Sequence, residues 1–420
     1  MQTANALNPS PPEGAIDTMR AQAMSKPTPT ESLERPMRIL VVDDLELNRD
    51  LLARRIQRLG HEAGIAVNGR DALDKLQQQD WDLVLLDITM PEMDGYETLR
   101  RIRADPLSAQ LPVVMVSAID ETESVVRCLE LGADDYLPKP FNPVVLQARI
   151  ESSLAKKRLQ DHKSHLLQAL SRELQIGQRI QQGFLPTELP SPAGWSLGAS
   201  CTPARQVGGD FYDAYSLPGG LLAFVIADVC DKGVGAALYM ALFRTLLRAM
   251  ACQATLEEPP PTTLMRSVAF ANDYIATVHG RENMFATLFF ALLEPDSGRM
   301  YYLNAGHEAP FFQHAEGGDT VRLDITGQAV GLLPGKRCSV QTLTMLPGSR
   351  LLLYTDGATE ALGVSGPFGE EVLGHAFVRH VGSAQEMVDG VRTQLTAHVG
   401  AFEPHDDVTL LGLMRESAGS

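Results

Sequence analysis

Tryptophan and cysteine are scarce in this 420-residue chain, at two and five residues. The cysteines (Cys128, Cys201, Cys230, Cys252 and Cys338) show no CxxC spacing, so neither a thiolate zinc site nor a disulfide framework is indicated, and a reducing cytoplasm is expected. Long apolar runs are missing too. None reaches the roughly 18 residues of a spanning helix, and the N-terminus has no basic-then-apolar signal pattern, which predicts a cytoplasmic protein with no membrane partner. Positive charge is in deficit: 36 Lys+Arg against 52 Asp+Glu leave a net charge of -16. Such a surface repels phosphate backbones and suits divalent cations. No basic helix-turn-helix segment offsets it, so nucleic acid is excluded as a partner and a transcription factor as the class.

At this length, two or three domains are expected. Residues 1-36 carry six prolines and almost no apolar periodicity, the composition of a disordered tail. From Met37 to about residue 152, apolar runs of four or five residues (RILVVDD, EAGIAV, DLVLLD, PVVMVSA, DYLPKP) alternate with helical stretches. Runs of that kind suit strands buried on both faces, and the alternation suits a parallel sheet wrapped by crossover helices. The spacing predicts a doubly wound α/β domain over 37-152. Residues 150-184 hold no proline and place Leu159, Leu166, Leu170 and Ile180 among apolar positions mostly four or seven apart. This predicts a long helix, a linker over 153-186 whose seam pairs with a second copy in a homodimer. Beyond Pro186, strand-like runs separated by turn signals flank two long helical patterns, Gly235 to Cys252 and Thr262 to His279. An α+β domain over 187-416 with largely antiparallel sheets follows.

Carboxylates fall where the first domain's strands end: Asp43 and Asp44 after the first, Asp87 after the third. Ligands of open α/β sheets bind outside the carboxyl ends of the strands, so these three can converge on one hard cation, Mg²⁺. Ser117 ends the fourth strand and Lys139 the fifth. Three carboxylates, a hydroxyl and an ammonium at strand ends support phosphoryl transfer to a carboxylate, with Asp87 as nucleophile and Lys139 and Ser117 on the transferred group. The segments VVDD, DITMPEMDG, VSA and DYLPKP resemble the response-regulator receiver domain across residues 37-152. The resemblance implies that Asp87 is the phosphoacceptor, that Ser117 and Tyr136 form the switch pair, and that a cognate histidine kinase is the donor. Met90, Met93 and Gly95 are read as packing and turn residues.

The C-terminal region repeats the theme in GGDFYD (Asp210, Asp213), ADVCDKG (Asp228, Asp231), YTDG (Asp356) and HDDVT (Asp406, Asp407). Acids on four separate segments beside apolar runs can hold two divalent cations, which lower the pKa of a bridging water and clamp a phosphate for in-line attack. These segments, with ELQIGQRIQQGFLP, MFATLF and NAGHEAP, resemble metal-dependent serine/threonine phosphatases of the type 2C superfamily, specifically the bacterial sporulation-E type. The resemblance covers about residues 172-415 and implies a β-sandwich flanked by helices, loaded with two Mn²⁺ or Mg²⁺. By the same resemblance, Asp228 bridges both metals with the Val229 carbonyl assisting. Asp210 serves the first metal, Asp356 and Asp406 complete the second, and Asp407 supports the ligands from behind. The implied substrate is a phosphorylated anti-sigma-factor antagonist in a partner-switching cascade.

Other signals weigh less. GGDF at 208-211 looks like the diguanylate cyclase signature, but that signature has a further acidic residue between the Asp and the Phe, and here Phe211 directly follows Asp210. His307 in NAGHEAP is read as a structural, hydrogen-bonded histidine, and Cys201 and Cys230 as small core residues. Gly233 and Gly235 beside Lys232 serve a tight turn or contact phosphate through backbone N-H groups equally well. The sequence thus points to a two-component response regulator whose output is a protein phosphatase. The rival reading is a phosphorylation-controlled adaptor with a silent phosphatase-like domain.

Overall fold

A computed structural model describes residues 35-417 except 118-121, 141, 315-317 and 381. The tail expected over residues 1-36 therefore lies almost wholly outside the described residues. The chain divides into two compact units, residues 1-169 and 170-420.

In the first unit, β1 (Arg38–Val42), β2 (Glu62–Ala66), β3 (Leu83–Asp87), β4 (Val113–Ser117) and β5 (Asp135–Pro138) form a sheet in the order β2-β1-β3-β4-β5. All its pairings are parallel. Helices α1 (Glu46–Arg58), α2 (Gly69–Gln78), α3 (Gly95–Ala104) and α4 (Thr122–Glu130) connect the strands, and α5 (Pro143–Gln182) follows β5. Successive strand residues point to opposite faces. Ile39, Val41, Leu85 and Val116 accordingly pack with Leu52 and Ile56 of α1 and with Leu146, Ile150 and Leu154 of α5. Leu40, Val42, Leu86 and Met115 pack with Leu99 and Ile102 of α3 on the other face. This is why the strands read as unbroken apolar runs: β3 and β4 are buried at every position.

The helix after β5 and the helix expected over 150-184 are one continuous element of 40 residues, about 60 Å long. Local pattern placed its start too late, because its first turns carry a core-facing stripe and the later turns do not. Leu159, Leu166, Leu170 and Ile180 are all more than half exposed.

The second unit holds two five-stranded sheets. One joins β7 (Phe211–Ser216), β8 (Leu222–Val229), β9 (Ala286–Glu294), β10 (Arg299–Ala305) and β13 (Gln341–Thr344) in the order β13-β10-β9-β8-β7. The other joins β6 (Trp195–Thr202), β11 (Phe311–Gln313), β12 (Thr320–Arg322), β14 (Arg350–Tyr354) and β17 (Val408–Arg415) in the order β12-β11-β14-β17-β6. All pairings are antiparallel, as is that of the short strands β15 (Leu362–Gly363) and β16 (Gly366–Pro367). The two-residue period of β8 sends Leu222, Phe224 and Ile226 into the core between the sheets, with Trp195, Phe289, Phe312 and Leu411. It sends Ala223, Val225 and Ala227 under α6 (Val234–Ala251) and α7 (Pro260–Val278), which contribute Phe243, Leu264 and Ile275. Helices α9 (Glu370–Arg379) and α10 (Ala384–Val399) cover the second sheet at Leu352, Tyr354 and Leu410. A sandwich flanked by helices is thus present, built by strict alternation within each strand.

Helix α6 qualifies by length and composition as a membrane span, although no uninterrupted apolar run of that length is present. Its Arg244 and Arg248 interrupt the run and hold Asp213, at 3.1 and 2.9 Å, while Met240, Phe243 and Leu247 sit in the core. Asp213 is fully buried in β7. It is a core ion-pair residue, separate in role from Asp210 three positions earlier. Burial pushes its carboxyl up while the two guanidinium groups pull it down, so the net gain from the charges is small. Removing one partner is different, because an uncompensated guanidinium stays inside. Asp213→Ala is expected to cost about 3-5 kcal/mol, a large share of a typical domain's margin. Urea melts of the variant and the parent check this, and coincident midpoints contradict it.

Candidate functional sites

In the first unit, the turn after β1 and the end of β3 bring three carboxylates together: one oxygen each from Asp43, Asp44 and Asp87 lies within 4.8 Å of the others. Asp43 and Asp87 are buried and Asp44 is exposed. Lys139 Nζ spans the buried pair, 2.7 Å from Asp43 Oδ2 and 3.0 Å from Asp87 Oδ2. Burial raises the Asp87 carboxyl and Lys139 pulls it back. Burial also works against the Lys139 charge, yet its bonds to the two carboxylates outweigh that and raise it. The site therefore holds an anion and a cation in contact, with Asp87 Oδ1 fixed by the Ile88 N-H at 2.9 Å. An all-oxygen set of this compactness fits one hard divalent cation.

Ser117 is buried at the end of β4, and its carbonyl accepts a 2.6 Å hydrogen bond from the Lys139 N-H. Tyr136 lies in β5 opposite Met115. Gly95 has a steric reason: a Cβ there would meet the Asp87 carbonyl oxygen at 2.3 Å, so α3 starts against the backbone of the expected phosphoacceptor only without a side chain. Met90 and Met93 are buried, as packing residues. Sequence reasoning missed Asn48 and Arg49. Asn48 donates to both Asp43 oxygens at 3.1 and 3.0 Å, and Arg49 donates to the Asp43 and Asp44 carbonyls at 2.8 Å. Both lie on an amphipathic helix, where a polar residue facing a site reads like any solvated one.

In the second unit, Asp210 precedes β7, Asp228 ends β8, Asp356 opens the short helix α8 (Asp356–Glu360) and Asp406 precedes β17. These are four separate segments at one end of the sandwich. Asp210 is buried and accepts a hydrogen bond from Thr355 Oγ1 at 2.7 Å. Burial, Asp356 and Asp406 push Asp228 up to about 7, and burial and Asp406 raise Asp356 as well. Lys232 is the cation at hand, 2.7 Å from Asp406. One ammonium against this many crowded carboxylates leaves a deficit of positive charge, and an oxygen donor set with that deficit fits divalent cations.

The buried Val229 has its carbonyl against Gly209. Asp407 is held by two backbone donors, Ala204 N-H at 2.8 Å and Gly209 N-H at 2.7 Å, so it fastens the loop that carries Asp210. A Cβ on Gly357 would strike the Asp407 carbonyl oxygen at 2.0 Å, which explains the glycine directly after Asp356. Thr355 was missed because it reads as the last strand residue. Its position just before the Asp-Gly pair was the available signal. Gln181, near the end of α5, was also missed: its amide accepts from the Gly208 N-H at 3.1 Å and donates to the Gly208 carbonyl at 2.5 Å. His307 is buried, takes the Asn304 side chain at its N-H at 2.8 Å and pairs with Thr287 at 2.9 Å. Burial pushes it down to about 4, as suits a neutral packing group. Cys201 and Cys230 are half-buried, and burial takes the Cys201 thiol up to about 12, far from a reactive thiolate.

Comparison with known proteins finds a match for each of the two units. Residues 39–151 match the response regulator receiver domain, and residues 218–416 match stage II sporulation protein E, SpoIIE. The chain thus has a segment similar to receiver domains followed by one similar to SpoIIE. Protein IcfG of Synechocystis sp. is 39% identical over 267 residues, 58% of this chain and 41% of that protein. A probable transcriptional regulator, ycf27 of Guillardia theta, is 38% identical over 134 residues, 32% of this chain and 52% of that protein. The chain thus spans about half or less of these relatives' lengths. The solved SiaA-PP2C domain of Pseudomonas aeruginosa aligns with a TM-score of 0.51 at 17% identity, covering 59% of this chain and 98% of that domain, a likeness of fold.

Proposed function

We propose that this protein is a response regulator whose output is divalent-metal-dependent protein serine/threonine phosphatase activity. The single observation behind this reading is the convergence of Asp210, Asp356 and Asp406 on Asp228 at one end of the sandwich, with too little positive charge among them.

At the receiver, an Asp87 carboxylate oxygen attacks the phosphorus of a phosphohistidine on a cognate histidine kinase. The P-N bond breaks and Asp87 becomes an acyl phosphate. Lys139, already bonded to Asp87, stays with the transferred oxygens, Ser117 donates its hydroxyl to them, and Tyr136 follows that movement. Asp43, Asp44 and Asp87 would hold Mg²⁺, whose charge would offset that of the oxygens in transit.

At the second site, Asp210, Asp228, Asp356, Asp406 and the Val229 carbonyl would hold two Mn²⁺ or Mg²⁺, with Asp407 anchoring the Asp210 loop. Divalent cations there would supply Lewis-acid chemistry for attack of water on the phosphoryl group. The substrate is phosphoserine or phosphothreonine on a protein, an anti-sigma-factor antagonist in a cytoplasmic partner-switching pathway. Two copies pair through the exposed α5 residues Leu159, Leu166, Leu170 and Ile180. The Gln181 clamp on Gly208 gives that helix a direct hold on the loop leading to Asp210.

The test is turnover of a phosphoserine peptide by the full chain with Mn²⁺. Hydrolysis that stops on chelation with EDTA and returns with added Mn²⁺ is expected; release of phosphate that ignores EDTA contradicts the reading.

A further inference from the structure

Beside the second carboxylate site lies a cleft of about 900 Å³, and Lys232, Gly357 and Asp406 line both. Its floor is apolar: Leu395 and Val399 of α10 with Phe402, Pro404 and Val408. Phe402 stays 47% exposed, an open aromatic next to a charged centre. The rim is acidic, with Glu360, Glu370 and Glu403. Its cations are engaged: Lys232 holds Asp406 at 2.7 Å and Arg392 holds Asp389 at 2.9 Å. Glu370 has Arg322 at 2.6 Å, whereas no cation pairs with Glu360 or Glu403 among the described residues. The open charge on the rim is therefore negative.

We infer that this cleft binds the polypeptide flanking the phosphorylated residue of the substrate, taking an apolar side chain on the floor and a Lys or Arg at Glu360 and Glu403. The inference rests on the phosphatase reading and deepens it. Three features select this occupant. The cleft is continuous with the carboxylate site, so a chain whose phosphoryl group sits at the acids must leave through it or pass its mouth. Its volume is that of a ligand pocket, room enough for a short extended segment of chain. Its charge repels the acidic flanks that would otherwise follow a phosphoresidue. A small apolar ligand would find the floor but gain nothing from the paired acids of the rim.

The experiment measures kcat/KM of the full chain with Mn²⁺ on three phosphoserine peptides and on p-nitrophenyl phosphate. The parent peptide carries Leu and Lys on both flanks, a second has Ser for each Leu, and a third has Glu for each Lys. Loss of Leu is expected to lower kcat/KM about tenfold or more, and Lys to Glu a few-fold. Two variants assign the effects to the cleft. Phe402→Ser should shrink the preference for Leu, and Glu403→Lys should remove or invert the preference for Lys. Both residues are exposed and neither touches the metal-site acids, so p-nitrophenyl phosphate turnover should match the parent and shows that each variant is folded. Equal kcat/KM for the three peptides, or preferences that survive both variants, overturns the cleft assignment while phosphatase activity stands. No turnover of any substrate overturns the phosphatase reading, and the cleft assignment falls with it.

Discussion

Asp228→Asn is expected to lower phosphoserine-peptide turnover by about a thousandfold. Residues that merely orient a metal ligand already cost about 10-100-fold when changed, and in the proposed site Asp228 would serve two cations at once. A neutral amide offers one oxygen of lower charge and cannot bridge as a carboxylate does. The same change has an opposite effect on the metal-free fold. Burial and the repulsion of Asp356 and Asp406 push the Asp228 carboxyl up to about 7, above its unfolded value near 3.8. A folded pKa above the unfolded one means stability that is fully present below about pH 4 and lost as pH rises through about 7. The chelated parent should therefore weaken over that window, and chelated Asp228→Asn should weaken less and melt higher at pH 7. Activity at the parental rate, or a melting temperature at pH 7 below that of the chelated parent, contradicts the crowded-carboxylate site.

Asp87→Asn is expected to abolish covalent phosphorylation by acetyl phosphate with Mg²⁺, while the parent gains a single phosphoryl group. Asp87 is the carboxylate that Lys139 reaches at 3.0 Å while its other oxygen is pinned by a backbone N-H. Asp43 is equally buried and closer to Lys139, at 2.7 Å, yet its oxygens already accept from Leu45 and Asn48, which leaves it poorly placed to attack. The amide at 87 is a weak nucleophile of similar shape, so the fold survives and the chemistry does not. Intact-mass analysis of both proteins decides the matter, and a variant that still gains one phosphoryl group reassigns the acceptor.

Most of the receiver was legible because chemistry and topology coincide there. A parallel sheet places every strand's carboxyl end on one edge, so Asp43, Asp87, Ser117 and Lys139 could be collected from strand ends alone. The acids of the second unit were legible as residues but not as neighbours, since Asp210 and Asp406 are almost two hundred positions apart in the chain and are joined by the antiparallel pairing of β17 with β6 and by the bonds of Asp407 to the Ala204 and Gly209 N-H groups. Asp213 shows the limit of motif reading. It looks like its neighbour Asp210 in GGDFYD, yet strand alternation turns it toward Arg244 and Arg248. Thr355, Gln181 and Asn48 were invisible for a related reason: each acts through side-chain hydrogen bonds to a residue on another segment, and a single polar side chain carries no period. The start of α5 was misplaced because a helix leaving a core changes its apolar pattern without ending.

A response regulator with this output requires the state of Asp87 to set the rate at Asp228, here by way of α5. The most direct test of that coupling is phosphoserine-peptide turnover with and without beryllofluoride, in the parent, in Asp87→Asn and in Leu166→Glu/Leu170→Glu, which places like charges on the exposed seam. Beryllofluoride should raise the parental rate several-fold and leave both variants unchanged. A parental rate indifferent to beryllofluoride, or a seam variant that responds as the parent does, contradicts control through that helix.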